Sequence, residues 1–474
     1  MQVYNTLTRA KEEFVPLKGN DVHMFVCGQT VYDDAHLGHA KTYISFDVVA
    51  RWLRHMGYNL EYVQNITDID DKIIARAKER GIPPIELARH YESRFMEDME
   101  RIGVKKTITV YARSHDYIDA MREQIQTLLD KGYAYRLEDD IYYDISKFSR
   151  YTEISGMKVD ELEKHRIEPR AGKKNVYDFA LWKAPKEGEP SWTIKLDING
   201  NAADMKGRPG WHIEDTATTA TLFGPRYDLH GGALELLFPH HSNEIAQAEA
   251  AYDVHPFVKY WLHSGVLNIK GTKMSKSLKN FITIREALEK YEPEALRLMI
   301  LATHYRKEVN YEGKSMDVAR NNLRYMYSSL SLFYNMKVVE KAQHDGIIND
   351  IASGLETDFT TAMSDDFNTP LATTKLIIAI RALRGFTESH TEIGRAAMES
   401  AMAKLLSLAN TLGILEKDTY KEKLSDDVHK LINARESLRK EKRFKEADEI
   451  RSELKAKHGI TLEDMEYGTV WYKE

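Results

Sequence analysis

Two short segments hold the residues whose chemistry is easiest to name. His36-Leu37-Gly38-His39 sets two imidazoles around a glycine, and Gly271-Thr272-Lys273-Met274-Ser275-Lys276-Ser277 sets two lysines in a glycine- and serine-bearing loop. Imidazoles beside a helix N-terminus can approach phosphate oxygens, because free N–H groups and the helix dipole already favour negative charge there. Gly38 leaves the nucleotide room. When a carboxylate attacks the α-phosphate of ATP, charge grows on the departing pyrophosphate, and fixed cations lower that barrier. Lys276 is the first candidate for this role and Lys273 the second, since both ammonium groups can face a triphosphate. The loop is not a P-loop: that motif's glycine spacing is missing, and the segment follows a late strand instead of the first.

These side chains need elements to place them. Residues 22–26 read as a buried strand, followed by a turn-rich stretch from Cys27-Gly28, and residues 43–56 carry apolar residues at helical spacing. Residues 60–66 read as a second strand, so the opening alternates strand and helix as a parallel sheet requires. The expected fold class is α/β, a Rossmann-like doubly wound parallel sheet, with the histidine motif at the carboxyl end of a strand, where such sheets place ligands. Residues 1–119 form its first half and 205–268 its second. Between them, residues 120–204 read as an inserted subdomain with a helix, a hairpin around Tyr142 and Tyr143, and a polar stretch holding Gly172, Gly188 and Pro190. Residues 269–315 carry the lysine loop and its flank, 316–414 a helical bundle, and 415–474 a small charged module of two helices, 428–440 and 444–457, closed by Gly459 and an aromatic tail.

Composition removes other classes. At 474 residues the chain exceeds what one core supports. With 42% apolar and 30% charged residues it reads as globular, and no apolar run approaches the roughly 20 residues a bilayer needs, so no membrane association is expected. The opening Met1-Gln2-Val3-Tyr4-Asn5 lacks a secretion signal, which makes a cytoplasmic location the expectation. Cys27 is the single cysteine, which excludes an intrachain disulfide and an all-cysteine metal cage. A net charge of −6 argues that any RNA binding is confined to a patch.

The histidine motif near the N-terminus and the lysine loop after the second half of the sheet resemble those of class I aminoacyl-tRNA synthetases. Phe25-Val26-Cys27-Gly28, Asn65-Ile66-Thr67-Asp68-Ile69-Asp70-Asp71-Lys72, Gly207-Arg208-Pro209-Gly210-Trp211-His212-Ile213-Glu214 and Phe238-Pro239-His240-His241-Ser242-Asn243-Glu244 resemble the cysteinyl-tRNA synthetase family along the whole chain. The resemblance implies a ligase that activates L-cysteine with ATP and Mg2+, releases pyrophosphate and transfers the amino acid to the 3′ end of tRNA(Cys), acting as a monomer. It implies acceptor-stem contact by the insertion and by residues 269–315, and anticodon binding by 415–474. Two rivals remain open: a ligase passing activated cysteine to a small-molecule amine, and a silent RNA-binding paralogue.

The same resemblance implies one Zn2+ at Cys27, Asp215, His240 and Glu244. His240 and Glu244 are four apart and share a helix face if Pro239 starts the helix, which would turn His241 elsewhere. Cysteine differs from serine by one atom, which shape alone separates weakly, whereas zinc binds thiolate in preference to a neutral hydroxyl. The chain departs from the family at Asp215, where a second cysteine is usual; an Asp oxygen still bonds zinc, at roughly 2.0–2.2 Å. A second departure is Glu235, where the family usually carries Asp, at a position associated with the substrate's amino group. Trp211 as an apolar wall and Thr67 as a hydrogen-bond partner complete the expected substrate pocket. In the last module, Lys430, Arg435, Arg439, Lys440, Lys442, Arg443 and Lys445 concentrate positive charge, and Trp471 is expected to stack on an unpaired base.

Overall fold

The computed structural model describes residues 1–157, 170–273, 280–421, 425–465 and 468–473, which divide into one unit of residues 1–289 with 305–310 and a second of 290–304 with 311–474. Lys276 lies outside the described residues, as does the side chain of Lys273.

The first unit is built on five parallel strands: β1 (Asp21–Thr30), β2 (Asn59–Thr67), β3 (Val110–Arg113), β4 (Tyr227–Ala233) and β5 (Val258–Ser264). Their order is β5-β4-β1-β2-β3. Sequence order therefore reverses at β1, and an open sheet of this winding has its ligand crevice at the carboxyl ends beside that strand. The strands read as apolar runs because helices cover both faces, as in β1, where Val22, Met24, Phe25 and Val26 are all buried. Helix α1 (Leu37–His55) connects β1 to β2 and is buried along most of its length, including Trp52.

Between β3 and β4 the chain leaves this sheet. Helix α2 (Ile118–Asp130) leads to a separate five-stranded sheet whose first hairpin pairs Ala134–Leu137 with Asp140–Tyr143, the hairpin expected at Tyr142 and Tyr143. The insertion ends on strand Asn201–Pro209, and Gly210 then caps helix α3 (Trp211–Phe223). A β-carbon on Gly210 would lie 1.8 Å from the Ala180 carbonyl oxygen, so only glycine lets the helix begin against the neighbouring strand Phe179–Lys183. Helix α4 (Ser242–Tyr252) joins β4 to β5.

The second unit is helical, with Gly313–Tyr334, Asp345–Ser364, Thr369–Ser389 and Arg395–Leu412 as its long helices. At its end, Asp426–Lys440 and Phe444–His458 are the two helices expected, and Gly459 closes the second in the left-handed conformation at φ 64°. The tail is not a loose extension: Ile460–Met465 and Gly468–Lys473 pair as antiparallel strands. They cover a small core of Val428, Ile432, Leu454, Ile460, Leu462 and Trp471. Trp471 is thus a core residue, 7% exposed, and the stacking expected of it is corrected. Its spacing in a two-stranded hairpin turns it inward. Arg435 is buried as well, which removes it from the basic surface.

No helix among the described residues is long and apolar enough to cross a membrane.

Candidate functional site

The site begins with an irregularity in β1. Pairing with β2 shifts register between Val26 and Gln29, so the strand bulges at Cys27-Gly28 instead of ending there. A bulge re-aims a side chain, and here it holds Cys27 at the crevice. The Gly28 N–H donates to Asn65 Oδ1, and a β-carbon at Gly28 would fall 1.7 Å from the Asn65 carbonyl oxygen. Gly28→Ala is therefore expected to cost at least about 3 kcal/mol of stability, the upper end for overpacking, because backbone is the obstacle; urea unfolding would measure it, and a loss under about 1 kcal/mol would contradict this packing.

Around the Cys27 thiol the chain gathers groups from far apart in sequence. Asp215, in the second turn of α3, puts Oδ2 3.8 Å from Sγ and 2.9 Å from His240 Nε2. His240 Nε2 is also 2.8 Å from Glu244 Oε1. Asn65 Nδ2 donates to Asp215 Oδ1 at 2.6 Å and to Thr67 Oγ1 at 3.3 Å, so Thr67 sits beside the carboxylate's support. The Trp211 ring stacks on His240 with centroids 4.1 Å apart. Glu235 lies exposed on the short turn Leu234–Leu236 after β4.

Two groups were missed. His241 was expected to point elsewhere, yet its Nε2 lies 3.3 Å from Cys27 Sγ, as does that of His230 on β4. The four-residue spacing holds for His240 and Glu244, which meet at 2.8 Å: only Phe238 is extended, His241 and Ser242 have helical backbone, and His241 nevertheless reaches the thiol as well. A signal was present in Gly231-Gly232, since a β-carbon on Gly232 would come within 2.9 Å of the His241 ring. Glycine there clears the space that His241 fills.

Electrostatics favour a cation in this place. Burial, together with Glu244 and Asp215, pushes the Cys27 thiol well above its ordinary value. Burial opposes charge on His240, but Glu244 and Asp215 outweigh it and raise that imidazole. Glu244 itself is raised by burial. Although Oε1 lies close to His240, neither Glu244 oxygen accepts a hydrogen bond of acceptable geometry. Cys27, Asp215, His240 and Glu244 offer four buried ligand atoms within 4.8 Å of one another. A thiolate, an imidazole and two carboxylates with an orphaned carboxylate among them fit a zinc-type ion, whose charge would satisfy what hydrogen bonds leave unsatisfied.

On the same edge of the sheet, His36 caps α1. Its Nδ1 accepts from the His39 N–H and His39 Nδ1 accepts from the His36 N–H, both at 3.3 Å, and the two rings stack 3.7 Å apart. Gly38 lies in that first turn. The segment following the lysine loop returns to this point: Leu37 N–H donates to the Ile282 carbonyl at 3.0 Å, and Phe281 meets the His36 ring edge-on. The chain just after the lysine loop, at Phe281 and Ile282, thus lies beside the histidine motif.

This winding, with the histidine motif at its carboxyl edge, belongs to a class I tRNA synthetase catalytic domain, which residues 13–321 match. The fold is similar to a Mycobacterium tuberculosis methionyl-tRNA synthetase in complex with methionyl-adenylate, at TM-score 0.58 and 15% identity, covering 83% of this chain and 89% of that one. It is likewise similar to the LeuRS of Agrobacterium radiobacter K84 in its ternary complex, at TM-score 0.61 and 11% identity over 86% and 87% of the two chains. Residues 13–321 match the tRNA synthetases class I (C) catalytic domain, 358–416 the DALR domain, and 421–471 the cysteinyl-tRNA ligase anticodon binding domain. Cysteine–tRNA ligases of Thermococcus onnurineus and Pseudomonas aeruginosa are 42% and 43% identical, each over 99% of this chain and 98% and 99% of their own. The chain belongs to the cysteine–tRNA ligase family.

Proposed function

We propose that this chain activates L-cysteine with ATP and Mg2+ and transfers it to tRNA(Cys), holding the substrate's sulfur at a zinc ion bound by Cys27, Asp215, His240 and Glu244. The observation that carries this reading is the convergence of those four buried side chains beside the bulge in β1. When bound, zinc supplies a borderline-soft Lewis acid that prefers thiolate to hydroxyl.

The protein's own residues do the rest. Asn65 holds Asp215 in place and also donates to Thr67, whose hydroxyl is the hydrogen-bond partner for the substrate, and Trp211 packs over His240 so that the pocket accepts a short side chain. Glu235 carries the negative charge for the substrate's ammonium group. His36 and His39, with Gly38 between them, receive the triphosphate. As the cysteine carboxylate bonds to the α-phosphorus and the bond to pyrophosphate breaks, Lys276 and Lys273 neutralise the departing anion. The tRNA ribose hydroxyl then attacks the carbonyl carbon of the adenylate and AMP leaves.

Lys430, Lys440, Lys442, Arg443 and Lys445 are exposed, and so is Phe444, at 53%, with the Arg439 guanidinium 5.9 Å from its ring centroid. Phe444, in place of Trp471, supplies the aromatic face that an unpaired base stacks on.

Cysteine-dependent ATP–pyrophosphate exchange tests the reading, and absence of exchange with zinc and magnesium supplied would overturn it. The match of 421–471 to an anticodon binding domain favours tRNA over an amine acceptor. Deleting residues 416–474 is expected to keep exchange within about threefold while lowering tRNA charging by at least about 100-fold, the scale of several lost phosphate contacts. Equal charging by the shortened chain would contradict the assignment.

A further inference from the structure

A second set of ligand atoms converges in the same crevice, and the inference drawn from it rests on the reading that an ion binds there. Cys27, His230, His241 and Glu244 are all buried, with one ligand atom each within 4.8 Å of the others. Cys27 Sγ lies 3.3 Å from both His230 Nε2 and His241 Nε2, and His230 Nε2 lies 3.6 Å from Glu244 Oε2. A tetrahedral ion with bonds of about 2.0–2.3 Å has ligand–ligand edges of about 3.3–3.7 Å. These three separations already fall in that range. Around His240, by contrast, the contacts to Asp215 and Glu244 are 2.9 and 2.8 Å, shorter than such edges, so they must open before an ion enters.

The supporting shell agrees. His230 Nδ1 lies 2.6 Å from the Tyr227 hydroxyl, and His241 Nδ1 lies 2.7 Å from His263 Nε2, whose other nitrogen is 2.9 Å from Thr6 Oγ1. Each ring is thereby held through Nδ1 with Nε2 turned to the thiol, the arrangement that fixes ligating histidines. The Glu244 carboxylate, fully buried and accepting no hydrogen bond of good geometry, faces this set as well.

We propose that Cys27, His230, His241 and Glu244 form a second position for one divalent transition-metal ion, alternative to the position at Asp215 and His240. The two exclude each other, because both draw on the same thiolate and the same carboxylate. One thiolate, two imidazoles and one carboxylate suit zinc or cobalt(II).

The test uses the full chain, stripped with a chelator and reloaded with zinc. Zinc equivalents, affinity against a competing chelator, and the number of imidazoles by X-ray absorption are read together. Asp215→Ala is expected to keep one equivalent, with affinity within about tenfold of the parent, and to show sulfur with two imidazoles. Adding His230→Asn and His241→Asn to that variant is expected to lower affinity at least about 100-fold. Should Asp215→Ala not fold by circular dichroism, Asp215→Asn carries the same readout. A folded Asp215 variant that loses zinc by about 100-fold or more, or a triple variant that binds as the single one does, overturns the second position while leaving the first. Failure of the parent chain to bind zinc overturns both.

Discussion

Glu244→Ala is expected to lower zinc affinity by more than about 100-fold, beyond the 10–100-fold typical of an outer-shell partner, and to abolish stoichiometric zinc in purified protein. Glu244 is shared by both ligand sets, and it is wholly buried without an accepted hydrogen bond. No other described carboxylate serves both sets. Cysteine-dependent exchange should fall in step with zinc content, and added zinc should not restore it. Elemental analysis alongside exchange provides the check, with circular dichroism to verify the fold. Retention of one zinc per chain in Glu244→Ala would show that the ion, if present, sits elsewhere. Cys27→Ala should behave alike, because it removes the only thiolate.

Lys276→Ala is expected to slow exchange by about 10²–10³, or about 2.7–4 kcal/mol, the cost of deleting one preorganised group that stabilises charge developing in the transition state. The KM for cysteine should move little, since the lysine acts on the pyrophosphate side and not on the sulfur. Lys273→Ala should cost less. Zinc content should be unchanged in both variants, which separates this effect from that of Glu244. Steady-state exchange at varied ATP and cysteine measures the split, and a fall in rate smaller than about threefold would remove Lys276 from the role.

What could be read from the chain differed by element, for physical reasons. Long amphipathic segments announce themselves through period and caps, so the two terminal helices, 428–440 and 444–457, correspond to Asp426–Lys440 and Phe444–His458. The alternation of buried runs with helices implied a parallel sheet, and the sheet is parallel throughout. Periodicity failed where backbone departs from regularity. The bulge at Cys27-Gly28 carries no periodic signal and reads as the end of a strand, and the spacing that places His240 and Glu244 together does not show that His241 meets the thiol too. Trp471 was read as exposed because an aromatic in a short tail carries no periodic signal of burial.

Residue types alone pointed to ATP chemistry, because the histidine motif and the lysine loop each carry a chemistry that survives out of context, whereas the ion site at Cys27, Asp215, His240 and Glu244 was implied by the family resemblance. Tertiary structure alone decided which groups meet. Cys27 and Asp215 are 188 residues apart in sequence and 3.8 Å apart in space, and Asn65 comes from β2 to hold the carboxylate. His230 and His241 join them because the sheet lays β4 beside β1 and because Gly232 leaves room for a ring. Contacts of this kind depend on strand order and close packing, which no local pattern encodes.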